Sequence, residues 1–309
     1  MDFFDDVFLK LHPNTVTTVR KLYNLEKRED MDRAIDALED WLKKQYHFTK
    51  TDYTRDFLER SIIMTKGSVE RAKTQISNLC SMRAVYPKFF EKCDARNDFN
   101  NLDSIALCAF LPKLTDDHYR VYVAHCYNED ITPDIFLESF RFGILKFEYI
   151  KAHDYCNGII GILDYRKMNI MKLIAALELV TLQQFLCILM EGYGIRIAGV
   201  HIVSPSKAVE ALVKIIKPLF GPKVSQRIHV HATIEALYDY VPKNILPSEL
   251  GGNEESIAVL KEQWKDLLGT KENVNYMQEM SNAVSNEAYK IKDKYNLDGA
   301  GTFRSLSVD

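Results

Sequence analysis

His229 and His231 form an H-x-H pair on a segment that alternates as a strand does, so both imidazoles point to one side. His201 sits on a second strand-like run. A structural zinc site takes four ligands, and a catalytic one takes three plus an open position for water. No third ligand stands at a recognisable spacing from the pair, so the histidines are expected to be structural and the metal content none. Asp164 closes a short apolar run and is a candidate general base. No G-x-S-x-G, H-E-x-x-H or phosphate loop accompanies it. Gly192 and Gly194 follow a helix-like stretch, whereas a nucleotide loop follows a strand. His153 and Cys156 read as a chance pair. The cysteines, Cys80, Cys93, Cys108, Cys126, Cys156 and Cys187, contain no C-x-x-C and match no zinc spacing. In a chain of this size they read as reduced cytosolic thiols. These residues predict no catalytic set, no cofactor and no enzyme; an α/β enzyme using Asp164 or the histidines is the rival.

The remaining side chains with chemical potential are basic. Between Ser206 and His231 stand Lys207, Lys214, Lys217, Lys223 and Arg227 against one acid, Glu210, in a chain whose net charge is −3. No global field favours nucleic acid, so anion binding must be local. Lys207 to Phe220 is amphipathic. Val209, Leu212, Val213, Ile216 and Leu219 or Phe220 form one stripe, and Lys207, Glu210, Lys214 and Lys217 lie opposite. Each Lys or Arg near an anionic leaflet contributes roughly 1 kcal/mol, so four or five supply about 4–5 kcal/mol, enough for reversible docking. A surface helix with a solvated lysine face is the plain alternative.

The elements that must position these residues alternate in type. Residues 14–91 read as helices: Ile35, Leu38 and Leu42 recur at helical spacing, as do Val69, Ala72, Ile76 and Leu79 behind a cap at Ser68. Residues 96–103 are polar and read as a linker. Residues 120–126, rich in valine and tyrosine, read as the first strand. Thr132-Pro133-Asp134 starts a helix that runs to about Ala152. Strands are expected over 158–163 and 196–203, a mostly continuous helix over 168–192, and a charged helical stretch over 254–294 with Trp264, Leu267 and Leu268 on its apolar side. Alternation at these lengths implies a mostly parallel sheet. Ile174 to Met190 is the most apolar stretch, but Glu178, Gln183 and Gln184 break it, which suits a buried helix. The acidic start, Met1 to Asp6, is unlike a basic signal peptide. A cytosolic protein that at most visits a membrane surface is expected.

Five segments then resemble the CRAL-TRIO family, in its order: Cys156 to Asp164, Arg196 to Val203, Lys217 to Phe220, Arg227 to His231 and Ile245 to Gly252. The tail, Gly301 to Asp309, resembles that of insect tocopherol-transfer-like members. The resemblance implies an α/β fold: a mostly parallel sheet floor with surrounding helices and a gate helix at Lys207 to Phe220, preceded by a small all-α domain. The domains implied are 1–95 helical, 96–252 lipid-binding and 253–309 a C-terminal helical extension. Members hold one lipid, such as tocopherol, a retinoid or a phosphoinositide. In the tocopherol carrier, basic residues beside the gate bind phosphoinositide headgroups; Lys223 and Arg227 look like two of these, with Lys217 and Arg196 close by. The chain departs from the pattern at Ile62-Ile63-Met64-Thr65, where L-R-A-R is usual, at Ala198 for a basic strand position, and at Asp164-Tyr165-Arg166-Lys167.

On this reading the ligand is lined by Tyr122, Phe136, Ser139, Phe140, Ile159, Leu163, Phe185, Leu189, Ile195, Ile197 and Val200, with Val209, Leu212, Val213 and Ile216 from the gate. Arg196, Lys217, Lys223 and Arg227 face the membrane. The expected partners are a hydrophobic small molecule and an anionic membrane surface, with no nucleic acid, and the protein is expected as a monomer. A lipid-sensing or protein-interaction module of the same fold, without transfer, is the other reading.

Overall fold

A computed structural model describes residues 8–99, 102, 106–128 and 130–286 of the 309-residue chain. The acidic start, part of the expected 96–103 linker, the end of the charged helical stretch and the Gly301 to Asp309 tail lie outside the described residues. The chain begins with helices α1 (Thr15–Leu22), α2 (Arg28–Leu42), α3 (Arg55–Met64) and α4 (Val69–Val85). Thr54 and Ser68 cap α3 and α4 by accepting from the backbone N–H of Phe57 and Arg71. Their apolar stripes, with Leu38, Leu42, Leu58 and Ile62 fully buried, form a core of their own.

Five strands follow: β1 (Ala106–Leu114), β2 (Tyr119–Cys126), β3 (Gly158–Asp164), β4 (Ile197–Val203) and β5 (Ile228–His231). They lie side by side in chain order. β1 is antiparallel to β2, and every later neighbour is parallel. Helix α5 (Pro133–His153) crosses from β2 to β3. Three shorter helices, α6 (Ile170–Ala176), α7 (Leu179–Cys187) and α8 (Val209–Ile216), follow β3 and β4. A four-residue α9 (Pro222–Ser225) leads into β5. Helices α10 (Ile257–Leu268) and α11 (Lys271–Ser281) return the chain. Trp264, fully buried, donates from Nε1 to Phe110 O at 3.0 Å and fixes α10 on β1. Met280 of α11 enters the core of the N-terminal helices.

The structure corrects four segment boundaries. The sheet starts at Ala106, not near Arg120: β1 holds Pro112 and runs apolar without alternation, which an edge strand with an irregular register between Phe110 and Leu114 tolerates. The stretch 168–192 is two helices bent by 80°, because Leu177 and Glu178 turn extended, and it ends in a π-helical turn at Ile188–Gly192. Among the described residues no single helix is long and apolar enough to cross a membrane. The charged helical stretch divides at Gly269, with Thr270 capping α11. The gate segment is α-helical only over Val209–Ile216, after which Pro218 lies in a 3-10 turn.

Candidate functional site

Pairing register and strand alternation sort side chains onto two faces. One face carries Cys108 and Phe110, Tyr122 and Ala124, Gly161 and Leu163, Val200 and Ile202, and Ile228. Helix α8 closes over its β4–β5 end. Val209, Leu212 and Ile216 are buried there in one cluster with Ile202, Ile228, Met168, Ile170 and Leu173. Phe136, Leu163, Val200 and Val213 are half-buried against it. Towards the middle of the sheet, Tyr122, Phe140 and Phe185 pack half-buried on the main core, which contains Ile159 and Leu189. An aromatic ladder joins the two groups: Phe140 stacks on Phe185 with centroids 4.4 Å apart, and Phe136 follows at 6.0 Å. Gly143 admits the Phe185 ring, since a Cβ there would lie 3.4 Å from its Cζ. Residues 135–140 of α5 stay half-exposed although four of the six are apolar, and burial is complete from Phe142 to Ala152. A continuous apolar surface therefore lies between α5, α7, α8 and the sheet.

Ser139 is half-buried on the same part of α5. Ile195 and Ile197 are not brought to this surface. Ile195, together with Ile159, lines a cleft of about 10 Å³ with Tyr23, Met64 and Arg196, and half-buried Ile197 joins none of the apolar clusters. A bulge between Ile197 and Gly199 interrupts the alternation there.

The phenols and the Cys126 thiol on the apolar face are neutral. Burial pushes the Tyr122 and Tyr165 phenols and the Cys126 thiol far up, so none ionises at physiological pH. Lys146, fully buried on α5, bonds Cys108 O at 3.1 Å and lies 4.1 Å from the Phe142 ring centroid. Burial draws its ammonium down to about 8. Composition and spacing gave no sign of Lys146, Cys108 or Tyr165, because pattern reading places lysines on solvated faces and had missed β1.

Beside α8 is a group of cations. Lys66 and Gly67 have φ of 60° and 74°, so the α3–α4 turn is left-handed at both. A Cβ on Gly67 would sit 2.9 Å from Tyr23 Cβ, which is why glycine stands there. Exposed Lys66 feels Arg71, Arg196, Lys223 and Arg227; partial burial and then their repulsion hold its ammonium below the usual lysine range. Arg196 donates to Asn157 Oδ1 at 3.1 Å and Arg227 to Ile197 O at 2.9 Å, which fixes both guanidiniums. Lys217 is exposed at the end of α8, and Ser225 Oγ donates to its carbonyl at 2.9 Å, tying α9 to the end of α8.

Residues 106–252 match the family model described as CRAL/TRIO domain. A CRAL/TRIO domain thus accounts for just under half of the chain. Residues 27–99 match a second model, described as Pinta-like, UBA domain. The mouse protein named alpha-tocopherol transfer protein-like is 27% identical over 237 residues, 74% of this chain and 66% of that protein. The human protein of the same name is 27% identical over 237 residues, 67% of its length. The chain thus spans about two thirds of the length of these relatives, and slightly less for the mouse protein. A crystal structure of Sfh5 superposes with a TM-score of 0.51 over 88% of this chain and 98% of that one, at 12% identity, a likeness of fold.

Within this CRAL-TRIO fold, Asp164 is fully engaged. It accepts from His125 Nδ1 at 2.6 Å and from Arg166 Nε and Nη2 at 2.8 and 2.7 Å. Burial opposes its charge, but the Arg166 and His125 bonds prevail and hold the carboxyl at about 2. Arg166 Nη2 also donates to Glu249 O at 2.9 Å, so the chain's departure after β3 clamps that strand to the 245–252 turn. His201, His229 and His231 all lie on the opposite sheet face from α8. His201 Nδ1 and His231 Nε2 are 3.0 Å apart. The described residues bring together no three His, Cys, Asp or Glu side chains able to hold a metal.

Proposed function

We propose that this protein binds one small hydrophobic molecule between α8 and the apolar sheet face, and carries it to and from anionic membranes. The observation that carries the reading is the continuous apolar surface roofed by a short amphipathic helix whose outer face and hinge are cationic. The CRAL/TRIO domain match and the names of the similar proteins support the same reading. Burying ~400 Å² of ligand contributes about 10 kcal/mol before the costs of association. The neutral Tyr122, Tyr165 and Cys126 favour an uncharged ligand with a hydroxyl or carbonyl, such as a tocopherol or retinoid. A cationic ligand would lack a counter-ion there, since the buried charge beside Tyr122 is the Lys146 ammonium.

Docking is assigned to Lys66, Arg196, Lys217, Lys223 and Arg227. Met171, Leu179 and Val180 add exposed apolar side chains at the α6–α7 bend (61%, 44% and 68% exposed). Their exposure suits shallow contact with a leaflet. On this reading the protein is a non-catalytic cytosolic monomer that visits membranes, and phosphoinositides are the headgroups such a cluster favours. The test is mass spectrometry of an organic extract of the purified protein, followed by transfer of the recovered lipid between vesicles. One dominant lipid that moves between vesicles at a rate set by the protein supports carriage. Protein without lipid that takes up none from vesicles overturns it and favours an interaction module.

A further inference from the structure

The sheet face opposite α8 holds a cavity of about 270 Å³ that the carrier reading leaves unused. It opens between the β1–β2 turn, the start of β4, His229 and Tyr240. Gly199, on the cavity wall, admits the His201 ring beside it, since a Cβ there would lie 2.9 Å from His201 Nε2. His201 is 3% exposed. Its Nδ1 is engaged with His231 Nε2, while its Nε2 makes no hydrogen bond with any described residue and lies against the cavity wall at Gly199. The rings of His229 and Tyr240 stand 5.2 and 4.9 Å from that of His201. Asp116 and Asp117 are exposed at the rim, and no lysine or arginine lines the cavity.

These features select a ligand chemistry. The volume lies just below the usual range for drug-sized ligands, so the occupant is small. Aromatic faces attract cations, and the two carboxylates reinforce that preference while repelling anions. Burial, then the facing His231 and His229, push the His201 imidazole down to about 3, so it stays neutral near pH 7. With Nδ1–H donating to His231, Nε2 presents a lone pair to the cavity, and a ligand N–H selects that tautomer. We propose that this cavity binds a small aromatic ammonium ion, its N–H groups on His201 Nε2 and the Asp116 and Asp117 carboxylates, its ring against Tyr240 and His229.

The site is separate from the lipid surface, so its test does not depend on carriage. The full chain is titrated with 2-phenylethylammonium, following the imidazole proton and nitrogen signals of His201 and His229 by NMR. Saturable shifts at both histidines are expected, with none from phenylacetate, which has a similar shape and opposite charge. Asp116→Asn/Asp117→Asn alters only exposed turn residues and is expected to weaken binding at least about fivefold. Absence of saturable shifts, equal binding of phenylacetate, or unchanged affinity of the folded double variant would each overturn the proposal.

Discussion

Neutralising Lys66 and Lys223 together separates membrane docking from fold stability, because the two effects are expected to differ. Lys66 is exposed and sits among Arg71, Arg196, Lys223 and Arg227, so its charge is held against repulsion. Removing like charge costs the isolated protein little, and the unfolding midpoint of Lys66→Gln/Lys223→Gln should equal or slightly exceed that of wild type. An anionic leaflet is a different environment. Each cation contributes roughly 1 kcal/mol there, so the pair contributes about 2 kcal/mol, near thirtyfold in partitioning. The assay is co-sedimentation with vesicles of increasing anionic content. The difference should shrink between 0.1 M and 1 M salt, as the screening length falls from about 10 Å to about 3 Å. A folded double variant that partitions like wild type onto anionic vesicles at low salt would refute the docking role and leave a solvated cationic surface.

Three further outcomes follow from the same geometry. Val213→Trp adds bulk beneath α8, where Val213 is half-buried against the gate cluster, and should reduce uptake of a fluorescent hydrophobic probe about tenfold without loss of fold. Asp164→Asn removes one partner of a buried ion pair and should cost about 3 kcal/mol in urea unfolding while leaving transfer by the remaining folded protein intact. His201 has a depressed pKa of about 3, so the unfolded chain binds more protons below its ordinary value near 6.5; stability should plateau above that pH and fall by up to about 1.4 kcal/mol per pH unit below it, a slope that His201→Gln should flatten.

Much of the fold was legible because periodicity reports burial. The α5 start at Thr132-Pro133-Asp134 and the edges of β3 and β4 fall within a residue or two of expectation. The stripe Val209, Leu212 and Ile216 is buried, and Lys207, Glu210, Lys214 and Lys217 are exposed. The failures share one cause: tertiary packing decided against local pattern. β1 lacks alternation since one side abuts α10 and the other the core, and Pro112 is harmless only on an edge. The apolar run 168–192 gives no local sign of an 80° bend, as Leu177 and Glu178 are ordinary helix formers. Lys146 is invisible to any rule that exposes lysines, and the resemblance groups Ile197 with Val200 although residues three apart on a strand point to opposite faces.

The departures from family motifs are best understood as a field maintained by different residues. The basic position missing from Ile62-Ile63-Met64-Thr65 is followed by Lys66, and the left-handed turn at Lys66 and Gly67 brings its ammonium within electrostatic reach of Arg196, Lys223 and Arg227. On β4, Ala198 stands where members carry a base, but Arg196, two residues earlier, reaches Asn157 and the ring of Tyr119. A Coulomb interaction depends on distance and dielectric, and tolerates a source displaced by one or two residues far better than a bidentate hydrogen bond does. Position-by-position comparison therefore understates the cationic rim, whose charges, after burial, help to hold the Lys66 ammonium below the usual lysine range. On the proposed reading that repulsion favours docking: the free protein keeps like charges together at some cost, and an anionic surface would relieve it.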